Sequence, residues 1–195
     1  MVKRFFIIHG WYGHPNECWF PWLKKELENK NFKVFIPQMP NPEAPEIKSW
    51  ISSLEKVVKN PDKETYFVGH SIGCQAILRY LEKLPQDIKF GGVVFVAGWI
   101  NLKPTIAEEE GSSEIAKPWL ETSIAWNKVL QHTNKFTAIF SDNDPYVYVS
   151  DSEIFKEKLN AKVILEHNKG HIGNVDNIKE DQIILKSVLE IANQQ

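Results

Sequence analysis

The chain has 195 residues with a formal net charge of −2, 43% hydrophobic and 25% charged. That is enough for one buried core, and too little for a large cap added to a full α/β sheet, so residues 1–195 are expected to form a single domain. Lysines and arginines are scattered rather than clustered, which argues against nucleic acid or an anionic membrane as partner. The two cysteines, Cys18 and Cys74, fit neither a disulfide framework nor a zinc site, so a reducing cytoplasm is the expected compartment.

In chain order, Phe5-Phe6-Ile7-Ile8 reads as a first strand, because His9-Gly10 stops the apolar run far short of a signal peptide. No other apolar stretch approaches the roughly 20 residues that span a bilayer. Further strand-like runs lie at Lys33 to Ile36, Thr65 to Val68, Gly91 to Ala97, Phe136 to Phe140 and Lys162 to Leu165. Helical patterns fall between and after them, at Trp22 to Lys30, Ile47 to Lys59, Cys74 to Leu84, Trp119 to Leu130, Ser152 to Leu159 and Ile178 to Ala192. This alternation predicts a compact α/β fold of about six mostly parallel strands with helices on both faces. Two segments break the pattern. Pro37 to Pro45 carries too many prolines for helix or strand and reads as a rigid loop. Trp99 to Pro118, with its Glu108-Glu109-Glu110 run, reads either as a solvated loop or as a small lid over the strand ends.

Gly69-His70-Ser71-Ile72-Gly73 sits between a β-branched, aromatic strand pattern and an amphipathic helix pattern, the setting of a nucleophile elbow. To expose a serine hydroxyl there, the backbone must reverse sharply. The expectation is a strained Ser71, with Gly69 and Gly73 removing Cβ atoms that would clash with each other across the turn. The helix behind Ser71 directs free N–H groups and its positive dipole end at the reaction centre. Cys74, in the first turn of that helix, reads as a packing thiol.

In a doubly wound sheet the functional loops lie at the carboxyl ends of the strands, so a base and its orienting acid should follow later strands. After the fifth comes Ser141-Asp142-Asn143-Asp144-Pro145-Tyr146-Val147, and after the sixth His167-Asn168-Lys169-Gly170-His171. The order Ser, Asp, His is that of α/β-hydrolases. Asp144 is preferred as the acid, with Asp142 as a turn-former, since Ser141, Asp144 and Val147 match the usual spacing of small residue, acid and valine. His171 is preferred as the base because Gly170 lets the loop turn back over the strand ends, with His167 as its rival. His70 is expected to project away from the hydroxyl, His14 and His132 to be solvated, and His9 to be structural. For the oxyanion, the backbone N–H groups of Ile72 and of Trp11, in the loop after the first strand, are the expected donors.

These residues resemble the small α/β-hydrolases related to retinoblastoma-binding protein nine and bacterial YdeN. The likeness is carried by Ile7-Ile8-His9-Gly10-Trp11, Trp19-Phe20-Pro21-Trp22-Leu23-Lys24-Lys25, Met39-Pro40-Asn41-Pro42, Gly69 to Cys74, Asp144-Pro145 and Gly170-His171. The resemblance implies a triad of Ser71, Asp144 and His171, about six parallel strands, and neither metal nor organic cofactor. By analogy with the family it also raises a protein partner.

The reaction this pattern suggests is acyl transfer from a small ester, thioester or amide to water, in a monomer. Gly10, Tyr12, Trp119 and Tyr146 are the expected walls of a small acyl or aryl pocket, with Trp11 beside them, while Trp126 reads as core. Acyl transfer to another acceptor, a lyase step, or a hydrolase scaffold serving as a protein-binding module are the competing readings.

Overall fold

The computed structural model describes residues 2–108 and 111–193. Six strands, β1 (Arg4–Ile8), β2 (Lys33–Phe35), β3 (Thr65–His70), β4 (Gly92–Val96), β5 (Phe136–Ser141) and β6 (Lys162–Glu166), form one sheet in the order β2-β1-β3-β4-β5-β6. Every neighbouring pair is parallel. Among the described residues the helices are α1 (Phe20–Glu28), α2 (Ile47–Val57), α3 (Ile72–Leu81), α4 (Ser112–Glu121), α5 (Trp126–Leu130), α6 (Asp151–Leu159) and α7 (Gln182–Asn193). No helix of these residues is long and apolar enough to cross a membrane.

Successive side chains of a strand point to opposite faces, and β1 shows the consequence. Phe5 and Ile7 pack with Leu23 and Leu27 of α1 and with Ile184 and Val188 of α7. Phe6 and Ile8 pack on the other face with Trp50 of α2, Ile77 of α3, Val129 of α5 and Phe155 of α6. Helix α3 lies deep in that second layer, and all ten of its residues are buried. The chain leaves β1 to one side for β2 and then crosses to the other side for β3, so the loops after β1 and β3 diverge at their carboxyl ends. A crevice at such a switch point is where open α/β sheets bind ligands.

The differences from the sequence expectations are local. Helix α1 begins at Phe20 because Pro21 sits at its first positions, where a missing N–H costs nothing. Helix α7 begins only at Gln182, where the Asp181 carboxylate accepts the N–H groups of Ile183 and Ile184. The single helix expected from Trp119 to Leu130 is two helices. Arg79, buried on α3, donates to the carbonyls of Trp119 and Thr122 at 2.8 and 2.7 Å and so ends α4. The Ala125 N–H then goes to the Glu82 side chain instead of continuing a helix. His132, expected in solvent, is 1% exposed, and its Nδ1–H donates to the Ile88 carbonyl.

The segment from Trp99 to Pro118 is mostly built, not loose. A 3₁₀ turn covers Pro104–Glu108, α4 begins at Ser112 with Ser112, Ala116 and Trp119 buried, and Glu109 and Glu110 of the acidic run lie outside the described residues. Its first part is strapped down by Asp151, whose buried carboxylate accepts the N–H groups of Ile100 and Asn101 at 2.6 and 2.7 Å and the Asn101 side-chain amide at 2.8 Å. Asp151→Ala should therefore lower the urea midpoint with an unchanged m value, by roughly 1–3 kcal/mol in all for the charge-assisted hydrogen bonds lost, since the donors are only part-buried and water can reach them. A midpoint equal to that of the wild type would show that the strap bears no stability.

Candidate active site

Ser71 directly follows β3 and caps α3 with φ 53° and ψ −124°, a region that costs a non-glycine residue on the order of 1–3 kcal/mol. Surrounding structure imposes it. The Ser71 N–H donates to the Val96 carbonyl of β4 at 2.9 Å, and the Cys74 N–H returns to the Ser71 carbonyl at 3.0 Å to start α3. The flanking glycines are required by close approach to their surroundings. A Cβ on Gly69 would stand 2.9 Å from the Cys74 nitrogen, and one on Gly73 would stand 2.4 Å from the Ile8 carbonyl oxygen. The elbow is thus wedged against both its own helix and β1.

The loops after β5 and β6 are joined side chain to main chain. Asp142 accepts the Asn168 N–H at 2.9 Å, Ser141 Oγ accepts the Lys169 N–H at 3.0 Å, and Asn143 Oδ1 accepts the Gly170 N–H at 2.8 Å. Asp144 Oδ2 then accepts from His171 Nδ1 at 2.8 Å. The other Asp144 oxygen accepts the Tyr146 and Val147 N–H groups at 2.8 and 3.0 Å, and the residue is 2% exposed. With Nδ1–H committed to a carboxylate, the imidazole of His171 presents Nε2 as its lone pair. His167 is different: 76% exposed, it pairs with Asp142 at 2.6 Å, and the Asn168 N–H, seconded by that contact, holds the Asp142 carboxyl below the usual carboxylate range.

Ser71 and His171 line one pocket of about 200 Å³ together with Gly10, Trp11, Tyr12 and Tyr146. The Tyr146 ring meets that of His171 edge-on at 5.3 Å. Among the described residues, neither the Trp11 N–H nor the Ile72 N–H is used by a turn or loop hydrogen bond. Trp119 is not in this pocket. It is 1% exposed, meets Trp50 edge-on at 6.0 Å and donates its indole N–H to the Pro45 carbonyl. Three walls that the sequence left unassigned are Trp99, Leu102 and Ile106. They come from the segment strapped by Asp151, which also grips the acid loop: Lys103 Nζ donates to the Asp144 carbonyl and Thr105 Oγ1 to that of Pro145, each at 2.5 Å.

The loop after β1 is set by two neighbours. His9 is fully buried; its Nε2 accepts the Met39 N–H at 2.9 Å, so Nδ1 carries the proton and donates to the Gly10 carbonyl at 2.9 Å. Burial lowers its pKa, in keeping with a neutral structural imidazole. The proline-rich loop has few N–H groups but many carbonyls, and tryptophans serve them: Trp11 donates to Glu43, Trp50 to Pro40 and Trp119 to Pro45. Both thiols are inert packing groups. Burial pushes Cys18 up to about 12 and Cys74 higher still.

A parallel sheet with a strained serine at its switch point, in one pocket with a histidine bonded to a buried aspartate, gives this molecule the α/β-hydrolase fold. Sequence narrows the class further. The family model described as serine hydrolase matches residues 5–181, and the chain belongs to that family. YdeN of Bacillus subtilis (strain 168) is 31% identical over 171 residues, covering 88% of this chain and 86% of that one. Its crystal structure superposes with a TM-score of 0.89 at 28% identity, over 97% and 98% of the two chains. Serine hydrolase RBBP9 of Rattus norvegicus is 24% identical over 169 residues, 86% of this chain and 81% of its own. A carboxylesterase structure from Nitrososphaera gargenis shares the fold at a TM-score of 0.73 and 15% identity, over 99% and 92% of the chains. The enzyme is accordingly a serine hydrolase.

Below this site, the buried Glu166 lies beside Asp181, with Lys169 Nζ 3.9 Å from Glu166 and 3.3 Å from Asp181. Burial and the Asp181 carboxylate push its pKa up to about 7 from the 4.5 of a free glutamate, against the smaller pull of Lys169. Between those values the folded state holds a proton that the unfolded state has lost, so this group makes stability fall as pH rises from about 4.5 to about 7. Glu166→Gln should flatten that decline, read as the difference between wild-type and variant urea midpoints across the range. Parallel pH profiles would contradict the assignment.

Proposed function

We propose that Ser71, Asp144 and His171 act as a catalytic triad that hydrolyses a small ester through an acyl-enzyme. The observation that carries this reading is the 2.8 Å contact from His171 Nδ1 to the buried Asp144 carboxylate, in the same pocket as the strained Ser71. It leaves His171 Nε2 as the only lone pair of that ring. In the first half-reaction Ser71 Oγ attacks the substrate carbonyl carbon while His171 Nε2 takes the hydroxyl proton. Asp144 holds the ring in the required tautomer and stabilises its cation without itself taking the proton. Negative charge collects on the former carbonyl oxygen, where the N–H groups of Trp11 and Ile72 and the amino end of α3 oppose it. His171 then gives its proton to the leaving group as the carbon–oxygen bond breaks. In the second half-reaction a water, deprotonated by the same Nε2, attacks the acyl-serine, and Ser71 leaves with the proton.

Pocket size and lining support a short acyl or aryl-acyl substrate. About 200 Å³, walled by Trp11, Tyr12, Trp99, Leu102, Ile106 and Tyr146, suits a compact apolar group and offers no length for a lipid chain. Tyr12 is 56% exposed at the rim, so water reaches the acyl-enzyme, which favours hydrolysis over transfer to another acceptor.

A fluorophosphonate probe should label the wild type and not Ser71→Ala. On a p-nitrophenyl ester, Ser71→Ala and His171→Ala should each lower turnover on the order of 10⁴- to 10⁶-fold, with the double variant little worse than either. His167→Ala, which removes an exposed imidazole outside the pocket, should be mild. Additive losses, or a folded wild type that resists the probe, would sink the triad.

A further inference from the structure

The segment around His171 is held by more than Asp144. His70 Nε2 lies 2.9 Å from the His171 carbonyl oxygen; because a carbonyl can only accept, His70 donates there from its Nε2–H tautomer. The next carbonyl, that of Ile172, accepts the Trp19 indole N–H at 2.9 Å. Two successive carbonyls of one short loop are therefore each bound by the N–H of an aromatic ring from a different element. Trp19 immediately precedes α1, and His70 ends β3 directly before the nucleophile.

This double grip spans a strained bond. Ile172 takes φ 52°, a conformation that a β-branched residue rarely adopts and that persists only where surroundings over-determine it. Ile172 is fully buried, as is Trp19, and His70 is 7% exposed. The two clamping rings also brace each other, meeting edge-on at 6.1 Å, and Phe20 supports His70 from 6.0 Å. His70 is wedged between both functional loops. A Cβ on Gly10 would stand 2.9 Å from its Nδ1, and one on Gly173 would stand 3.2 Å from its Cε1. Burial and the neighbouring His171 pull its pKa down to about 3, so the donor stays neutral at any pH near neutrality.

We propose that Trp19 and His70 are positioning residues for the base: by holding the carbonyls of His171 and Ile172 they fix where His171 Nε2 points. Asp144 holds one point of the imidazole and the rings of Tyr146 and His70 flank it at 5.3 and 5.1 Å, while backbone placement decides where that ring sits over the pocket. A misplacement of about 1 Å can cost on the order of 10²-fold in rate. The inference rests on the reading of His171 as the base. It gives Trp19, at the head of the Trp-Phe-Pro-Trp segment, a role beyond packing. It also gives His70 a role other than proton transfer.

Trp19→Phe deletes the N–H while keeping aromatic bulk. With p-nitrophenyl acetate as substrate, it should lower kcat by roughly 10- to 100-fold while KM stays within about twofold. In the His171→Ala background the same substitution should change residual turnover by less than about twofold, since it acts only through the missing imidazole. His70→Gln, which keeps a donor at similar reach, should retain more kcat than His70→Phe. If Trp19→Phe does not fold, the two His70 variants in both backgrounds make the same comparison. A kcat loss under about threefold in the wild-type background, or an equal loss in both backgrounds, overturns the clamp. Failure of the underlying reading looks different: His171→Ala would then leave turnover intact, which overturns the triad and the clamp together. A severe His171→Ala with a harmless Trp19→Phe overturns the clamp alone.

Discussion

The site depends on the joining of two loops that the sheet alone would not hold together. Consecutive side chains Ser141, Asp142, Asn143 and Asp144 each accept an N–H from the segment His167 to His171. The last of these contacts is the acid–histidine pair. The others hold main chain to side chain one residue at a time, so the register of the pair is decided before the carboxylate and imidazole meet. The bonds to Asp142 and Asp144 are charge-assisted, a kind stronger than neutral ones, and with Asp144 2% exposed little water competes for the acid–histidine contact.

Backbone strain beside the pocket is balanced in the same way. Ser71 and Ile172 both occupy positive φ. Each is pinned through main-chain groups: the Ser71 N–H by Val96 and the Ile172 carbonyl by Trp19. Strained backbone survives where its neighbours cannot relax, and the buried sheet and α3 supply that rigidity. Serine hydrolysis asks for this, because an attacking hydroxyl and its base must be held in near-attack geometry before substrate arrives.

A third support comes from loops without regular structure. The proline-rich segment after β2 offers carbonyls and few donors, and the indoles of Trp11, Trp50 and Trp119 supply the donors. His9 ties the same segment to the end of β1 through the Met39 N–H. The aromatic wealth of the chain thus goes partly to the pocket wall and partly to fixing the loop beside it. Trp11 does both, lining the pocket and donating to Glu43, whereas Trp119 is buried against Trp50 and serves only the loop and the core.

Strand periodicity, the Gly-x-Ser-x-Gly context and the order Ser, Asp, His were legible in the chain because they are local or ordinal. A six-stranded parallel sheet follows from alternating short apolar runs and amphipathic segments, and the elbow from residues adjacent to one another. Cross-chain partners were not legible. Nothing adjacent to Arg79 says that it will cap α4 forty residues on, and nothing near Trp19 says that its indole will bind the Ile172 carbonyl. Trp119 carried the signal of a pocket aromatic and became core, since burial depends on which face of the sheet its helix covers. By itself the sequence determined the fold class and the serine between β3 and α3, which rest on periodicity and on the steric demand of one turn. Only the tertiary structure decided which histidine meets a buried carboxylate, what walls the pocket and what holds the base loop, because each of those is a contact between segments far apart along the chain.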